Sequence, residues 1–362
     1  MLNRSNLLVK LLLLIPAGIY GIIVGLRNWF YAQGFFRSIV FDIPVVCVGN
    51  IAVGGTGKTP HVEYILRLLS QEKLMASVIS RGYKRKTSGY LAVKPEHTAQ
   101  DVGDEPKQIS QKFPTVPFVV CGDRVVGIQT LRSDFPNTRV VVMDDGFQHR
   151  AVKPGMSIIL TDFNHPIYAD YLLPMGNLRE SFRQLQRADI VIVTKCPPTV
   201  KPIDLRIASN RLGLFPYQSL YFTTFNYGGL HFVWGCSPVA DQPESSAPVM
   251  LVAGIAKPEP FVQHLKEQYN NLTINLFSDH YTFQGSDISG MVEFLTNHPG
   301  GFIVTTEKDA VRLVSLDSIP EQLKSRFLYI PIEVRFLNSG ENQFNKQLVA
   351  YVRAIKGNSG LH

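Results

Sequence analysis

The sequence predicts an α/β fold: a mostly parallel sheet flanked by helices, with a smaller α/β portion towards the C-terminal end. Three observations predict it. Residues 43–49 (IPVVCVG) form a β-branched run that feeds a glycine-rich loop and then an amphipathic helix. Residues 139–143 (RVVVM) form a second apolar run that ends directly in Asp144-Asp145-Gly146. Similar runs at 76–80, 116–121, 157–161 and 190–194 alternate with helical or loop stretches, the pattern of a layered parallel sheet. The bulk composition agrees. A chain of 362 residues, 45% apolar and 18% charged, builds sizeable cores, and its length suggests roughly two domains. That composition excludes a disordered protein. A mean hydropathy of +0.05 is too low for a multi-span membrane protein.

The first element is apolar. Residues 7–26 (LLVKLLLLIPAGIYGIIVGL) are broken only by Lys10 and Pro16, and Arg27, Trp29 and Tyr31 follow. Basic and aromatic flanks of this kind sit at membrane interfaces. Four readings fit: a cleaved signal peptide, a buried core helix, a single span, and a helix lying in one leaflet. The last is favoured, and it shares with the span the consequence that the rest of the chain is held at a membrane. Charge points the same way. Residues 1–90 hold eleven Lys and Arg against three Asp and Glu, a net of +8, while the remainder carries −1. A basic first quarter implies an anionic partner there: a membrane surface, a phosphorylated ligand or nucleic acid. The four cysteines are far apart and form no metal-spaced cluster. Cys47, Cys121 and Cys196 lie in or beside apolar runs and read as reduced core residues.

The second element is the most specific. Ala52-Val53-Gly54-Gly55-Thr56-Gly57-Lys58-Thr59 is a Walker A loop with Ala in place of the first glycine. Glycines let successive backbone N–H groups turn inward around phosphate oxygens, and the helix N-terminus adds partial positive charge. Lys58 is placed to reach the β- and γ-phosphates, and Thr59 to offer a hydroxyl to Mg²⁺. Val62, Ile65, Leu66 and Leu69 give the following helix its apolar face. Val53 stands where the dimeric partition ATPases carry an extra lysine, so their mechanism is not supported. In a P-loop fold the acidic end of another buried strand holds the metal, which selects Asp144. Asp145 and His149 lie just beyond, on the edge of a parallel sheet where ligands bind. Thr194-Lys195-Cys196-Pro197 resembles a guanine-reading loop but lacks its Asp, which favours ATP.

Other polar clusters fall at expected strand ends: Ser80-Arg81-Gly82-Tyr83 before the basic run Lys84-Arg85-Lys86, the acidic loop 101–106 (DVGDEP), 173–180 (LPMGNLRE), 277–283 (FSDHYTF) and 305–310 (TTEKDA). Together with VGNIAVGGTGKTP, DDGFQH and VAGIAKPEPF, and following the family's order along the chain, they resemble the tetraacyldisaccharide 4′-kinase family, the lipid A 4′-kinases of Gram-negative bacteria. The resemblance covers nearly the whole chain. It departs at Ala52, where Thr is common, and at Met175 and Asn177, where Ala and Pro are more usual.

The resemblance implies transfer of the ATP γ-phosphate to the 4′-hydroxyl of a tetraacylated glucosamine disaccharide 1-phosphate, with Mg²⁺, at the cytoplasmic face of the inner membrane. Asp104 matches the family's proposed base and His280 the histidine that supports it. Arg81 and Arg124 match positions near the phosphates or the sugar, and Tyr83 of the same motif is placed with them; Arg179 and Glu180 match a pair near nucleotide and metal, with Glu180 helping to hold Mg²⁺. From the residues alone Asp104 is equally a helix N-cap and His280 a structural or surface histidine. The 84–86 run is either a solvated loop or a contact to anionic lipid or the substrate's 1-phosphate. The 305–310 motif has no chemical role assigned from sequence.

The expected organisation is a membrane-facing helix over 1–36, a P-loop core over 37–210, a hairpin and linker over 211–248, and a C-terminal α/β portion over 249–362 that brings His280 over the cleft. The lipid disaccharide and anionic lipids are the expected partners. Neither nucleic acid nor an obligate protein partner is expected. Two other functions compete: a P-loop switch or metallochaperone, and a kinase of another membrane-embedded sugar or polyprenol. The first lacks guanine-reading or metal-binding residues. The second shares every phosphate-binding feature, because a P-loop carries no information about the acceptor.

Overall fold

Strands that read as unbroken β-branched runs have no polar face to offer water, so they must be covered on both sides. The computed structural model, which describes residues 7–240, 243–279, 281–314, 316 and 318–358, meets that demand with helices on both faces of a sheet. The chain opens with helix α1 (Leu7–Ala32) and continues through β1 (Val45–Gly49), α2 (Lys58–Gln71), β2 (Ala76–Ser80) and the short β3 (Leu91–Ala92). Then come α3 (Ala99–Val102), α4 (Asp104–Lys112), β4 (Phe118–Val120), α5 (Arg124–Asp134), β5 (Val140–Asp144), β6 (Met156–Asp162), β7 (Ile190–Thr194), α6 (Pro202–Leu212) and β8 (Ser219–Tyr227). The remainder is β9 (His231–Phe232), β10 (Pro248–Ala253), α7 (Glu259–Gln268), β11 (Asn271–Leu276), α8 (Gly285–Asn297), β12 (Phe302–Thr306), α9 (Glu307–Val314), β13 (Phe327–Ile330), β14 (Ile332–Phe336) and α10 (Gly340–Asn358).

Among the described residues two sheets form. The larger has nine strands in the order β14-β8-β7-β6-β1-β5-β2-β4-β3, parallel except at its two edges. Strand β1 lies between β5 and β6, and Val48 is in register with Asp144. The phosphate loop and the acidic strand end therefore leave the sheet side by side. Every residue of β1, β2, β5, β6 and β7 is buried. The smaller sheet has five strands in the order β11-β10-β12-β13-β9, with β9 antiparallel at its edge. The cysteines are free, and Cys47, Cys121 and Cys196 are buried as expected.

The expected organisation needs two corrections. Residues 219–234 do not close a hairpin. Strand β8 runs parallel to β7 in the large sheet, and β9 pairs with β13 in the small one, so Gly228 and Gly229 lie where the chain leaves one sheet for the other. The two residues of β9 offer β8 only a short local ladder, whereas β7 offers it a parallel register of four residues. Nor does the last stretch stay with the C-terminal portion. Strand β14 pairs antiparallel with β8, and Phe344, Leu348 and Val352 of α10 pack into the core of the large sheet. Asp241 and Gln242 of the expected linker lie outside the described residues.

Helix α1 runs six residues past the apolar run of 7–26 and ends at Ala32, inside the expected segment of 1–36, and residues Leu12–Ala32 are long and apolar enough to cross a membrane. Leu12, Ile15, Ile19, Ile22 and Ile23 stand exposed, and Trp29, Phe35 and Val40 continue the apolar surface past the helix. Ala17 and Asn28 are buried on its other side.

Candidate active site

The phosphate loop spans the gap between β1 and α2, and its curvature rests on two glycines. Gly54 has φ +105° and Gly57 φ +88°, a region open to glycine at no steric cost. At Gly57 there is also no room: a Cβ would lie 2.3 Å from Cζ of Phe225. Side chains hold the loop from beneath. Asn50 Nδ2 donates to Thr56 Oγ1 at 2.9 Å, and Gln148 Nε2 fixes Asn50 by donating to its carbonyl at 2.7 Å. Thr194 Oγ1 donates to the Thr56 carbonyl at 2.8 Å. Lys195 Nζ donates to the Gly55 carbonyl and pairs with Asp162 Oδ2 at 2.9 Å. Val53 N donates to the Asn177 carbonyl at 2.7 Å, and Ala52 bridges Leu178, which ties the loop to the 173–180 segment. Ala52 is itself buried, and Lys58 and Thr59, the first residues of α2, are half-buried.

Thr194 and Lys195, which the sequence marks only by their likeness to a base-reading loop, turn out to support the phosphate loop from beneath. The available signal was their place at the end of a buried strand, on the same edge as the phosphate loop.

The acidic edge adjoins. Asp144 ends β5 and is 1% exposed; the Ser80 hydroxyl lies near it, but neither carboxylate oxygen has a hydrogen-bond partner of ordinary geometry among the described residues. Burial, then Glu105 and Asp145, push its carboxyl up, with Lys58 opposing. A buried acid in this condition calls for a cation. Asp145, in the left-handed region at φ +47°, meets Lys58 Nζ at 3.6 Å and Arg179 Nη1 at 3.2 Å. Burial alone would raise its carboxyl, but Lys58, Arg179 and Arg124 outweigh it and hold the group below its ordinary range.

Arginines approach from the neighbouring strand ends. Arg124 opens α5, is 2% exposed, and gives Nη1 to the Cys121 carbonyl. Its Nε and Nη2 have no hydrogen-bond partner among the described residues. Burial lowers its pKa to about 10, with Asp144 and Asp145 opposing. Arg81, just past β2, is exposed, as is Tyr83. His149 is pushed down to about 4 by burial, then by Arg124 and Arg81, so it is neutral at pH 7. The residues Lys58, Thr59, Arg81, Arg124, Asp144, Asp145 and His149 thus gather at one edge of the sheet. A metal there fits the chain: Asp144 offers two unsatisfied oxygens, and Mg²⁺ needs only one or two carboxylates beside phosphate and water.

Glu180 is placed differently from the expectation. It is fully buried, and both its oxygens are engaged: Oε1 accepts from Arg27 of α1 and Oε2 from Arg187. Asn28 Nδ2 adds a longer bond of 3.4 Å, and Tyr20 of α1 donates to the Arg179 carbonyl at 2.8 Å. Glu180 joins helix α1 to the segment that carries Arg179, with its lone pairs directed at two guanidiniums.

Asp104 is the first residue of α4; the cap position is held by Gly103 at φ +99°. Its Oδ2 accepts from Arg312 Nη2 at 2.6 Å and Nε at 3.1 Å. The N-cap reading therefore does not describe it. His280 lies outside the described residues. Within the basic run Lys86 Nζ donates to Gln100 Oε1 at 2.6 Å, Arg85 Nη1 donates to the Val120 carbonyl at 3.3 Å, and Lys84 lies over the Tyr83 ring.

Comparison with known proteins adds an independent line. The family model described as LpxK, tetraacyldisaccharide-1-P 4′-kinase, matches residues 9–353. The chain is 44% identical over 353 residues to the tetraacyldisaccharide 4′-kinase of Bacteroides thetaiotaomicron, covering 94% of this chain and 93% of that protein. It is likewise 44% identical over 347 residues to that of Phocaeicola vulgatus, covering 94% of each. Among solved structures it resembles LpxK from Aquifex aeolicus in complex with ATP, with a TM-score of 0.76, 26% identity, and coverage of 96% of this chain and 99% of that one.

Proposed function

The chain belongs to the tetraacyldisaccharide-1-phosphate 4′-kinase family, and from that membership we propose how its own residues carry the reaction. It is a kinase of lipid A biosynthesis that transfers the γ-phosphate of ATP to the 4′-hydroxyl of a tetraacylated glucosamine disaccharide 1-phosphate. The observation that carries the site assignment is the convergence of Lys58, Asp144, Asp145 and Arg124 where adjoining parallel strands end. The backbone of residues 52–57 cradles the phosphates, and Lys58 neutralises the β- and γ-oxygens. Thr59 and Asp144 would hold Mg²⁺, whose charge would offset that of the phosphate oxygens. Asp145 fixes Lys58 and Arg179 in place. Arg81 and the two unpartnered nitrogens of Arg124 bind phosphoryl oxygens, and neutral His149 and Tyr83 border the acceptor sugar.

Asp104, supported by His280, takes the proton as the 4′-oxygen bonds to the γ-phosphorus and the bond to the β-bridging oxygen breaks, releasing ADP. The exposed face of α1 lies in the anionic cytoplasmic leaflet of the inner membrane, where the acceptor resides. The basic excess of the first quarter is then divided between two neighbours, bilayer and nucleotide, and needs no nucleic acid or obligate protein partner.

The test is direct. Purified protein with ATP, Mg²⁺ and the tetraacyldisaccharide 1-phosphate adds the mass of one phosphate to the lipid. Lys58→Ala lowers kcat by about 10²- to 10³-fold, the usual cost of one charge-stabilising donor. Asp104→Asn lowers it by about 10²- to 10⁴-fold, that of a general base. Turnover at the parent rate in either variant, correctly folded, refutes that residue's role.

A further inference from the structure

Helix α9, which begins where β12 ends, carries the unexplained motif of residues 305–310 and reaches across to α4. Asp309 on α9 is fully buried. Its Oδ2 accepts from the Gly254 amide at 2.9 Å and from Thr306 Oγ1 at 2.6 Å. Its Oδ1 accepts from Arg312 Nη1 at 2.7 Å, one turn further along. The same nitrogen lies 3.2 Å from the Gly254 carbonyl. Arg312 is thus anchored on one side, and the other side of its guanidinium, Nε and Nη2, is aimed at Asp104 Oδ2. At the far end of α4, Lys112 pairs with Glu307 of α9 at 2.9 Å and with buried Glu63 of α2 at 2.6 Å. Two ionic clamps, roughly 12 Å apart along a nine-residue helix, fix α4 on the C-terminal portion.

We propose that Arg312, anchored by Asp309, is the positioning residue that holds Asp104 in its working geometry and makes the C-terminal portion a structural part of the acceptor site. The proposal rests on the reading of Asp104 as the base. Only an arginine fits the arrangement. Its planar fork serves Asp309, Gly254 and Asp104 at once, whereas a lysine ammonium is a point charge that cannot face both carboxylates in fixed directions. A base displaced by about 1 Å costs on the order of 10²-fold in rate, while nucleotide binding at the other strand ends is untouched.

The experiment measures kcat and the KM for ATP in Arg312→Ala, Arg312→Lys, Asp309→Asn and Asp104→Asn, and in the double variant Arg312→Ala/Asp104→Asn, with folding checked by circular dichroism. Arg312→Ala is expected to lose kcat by about 10- to 100-fold with KM for ATP unchanged. Arg312→Lys falls between it and the parent, as does Asp309→Asn. Guanidinium chloride, well below denaturing concentrations, restores part of the rate of Arg312→Ala. The double variant is no slower than Asp104→Asn alone, because a positioning residue has nothing left to position. Parent turnover in Arg312→Ala overturns the proposal, and so does a loss that is undiminished in the Asp104→Asn background. Parent turnover in Asp104→Asn removes the base reading itself, and with it this inference. A slow Asp104→Asn beside a fast Arg312→Ala removes this inference alone.

Discussion

Glu180 separates two physical accounts of one residue, and the perturbation that distinguishes them is made on α1, at Arg27. Glu180 is fully buried between Arg27 and Arg187, and Arg27 is 37% exposed. In Arg27→Ala the carboxylate keeps Arg187 and loses one charge-assisted hydrogen bond. Such a bond is worth roughly 1.5–3 kcal/mol, and the exposure of Arg27 reduces that to about 1–2 kcal/mol. Glu180→Gln costs more. It leaves two guanidiniums facing each other over a neutral amide, and breaking a buried pair costs roughly 3–5 kcal/mol. The double variant costs less than the sum, since both single changes remove the same contact. Urea unfolding in detergent, followed by tryptophan fluorescence, reads the effect: Trp29 lies two residues from Arg27. The order expected is parent, Arg27→Ala, Glu180→Gln, with falling midpoints. Parent-like midpoints in both variants, together with a raised Mg²⁺ requirement in Glu180→Gln, would refute this reasoning and return Glu180 to the metal.

Three further outcomes follow from the geometry. Gly57→Ala places a Cβ at φ +88° and 2.3 Å from Phe225. The left-handed backbone costs about 1–2 kcal/mol and the overlap about 1–3, so calorimetry shows lost ATP affinity, of which Phe225→Ala recovers only the overlap part. His61 is buried, its Nδ1 2.7 Å from the Gly57 carbonyl and its Nε2 3.1 Å from Thr223 Oγ1, and burial pushes its pKa down to about 4. The unfolded chain binds this proton below pH 6.5 and the folded chain does not, so stability falls with pH between about 6.5 and 4. The full effect is about 3 kcal/mol, and it appears as a steeper acid loss of unfolding free energy in the parent than in His61→Asn. Ile19→Glu/Ile23→Glu places charge on the exposed face of α1. Each lost isoleucine forfeits about 1.5–3 kcal/mol of burial, so sedimentation with anionic vesicles falls by at least about tenfold while the fold is kept.

Much was legible in the sequence because the physics behind it is local. A strand buried on both faces must read as an apolar run, and β2 and β7 coincide with the runs at 76–80 and 190–194. A loop that wraps phosphate must have glycines at its positive-φ positions, and Gly54 and Gly57 occupy them. An acid closing such a strand lies at the sheet edge wherever the strand is placed, which is why Asp144 needed no structure to be found. The motif around Asp309 was visible but mute. Its carboxylate acts on an arginine one turn away, and the arginine acts on a residue 208 positions distant.

What the tertiary structure decided has that character throughout. The parting of β8 and β9 depends on the partners that β7 and β13 provide in two different sheets, which no turn signal near Gly228 encodes. The return of β14 and α10 to the large sheet follows from an open edge at β8, created more than a hundred residues earlier. Glu180 finds Arg27 across 153 residues because α1 docks against the 173–180 segment. Periodicity and backbone preference act over a few residues and fix the elements, the phosphate loop and the chemistry of the strand ends. Which charges meet is fixed by how those elements pack, and a buried charge takes the partner that the packing supplies.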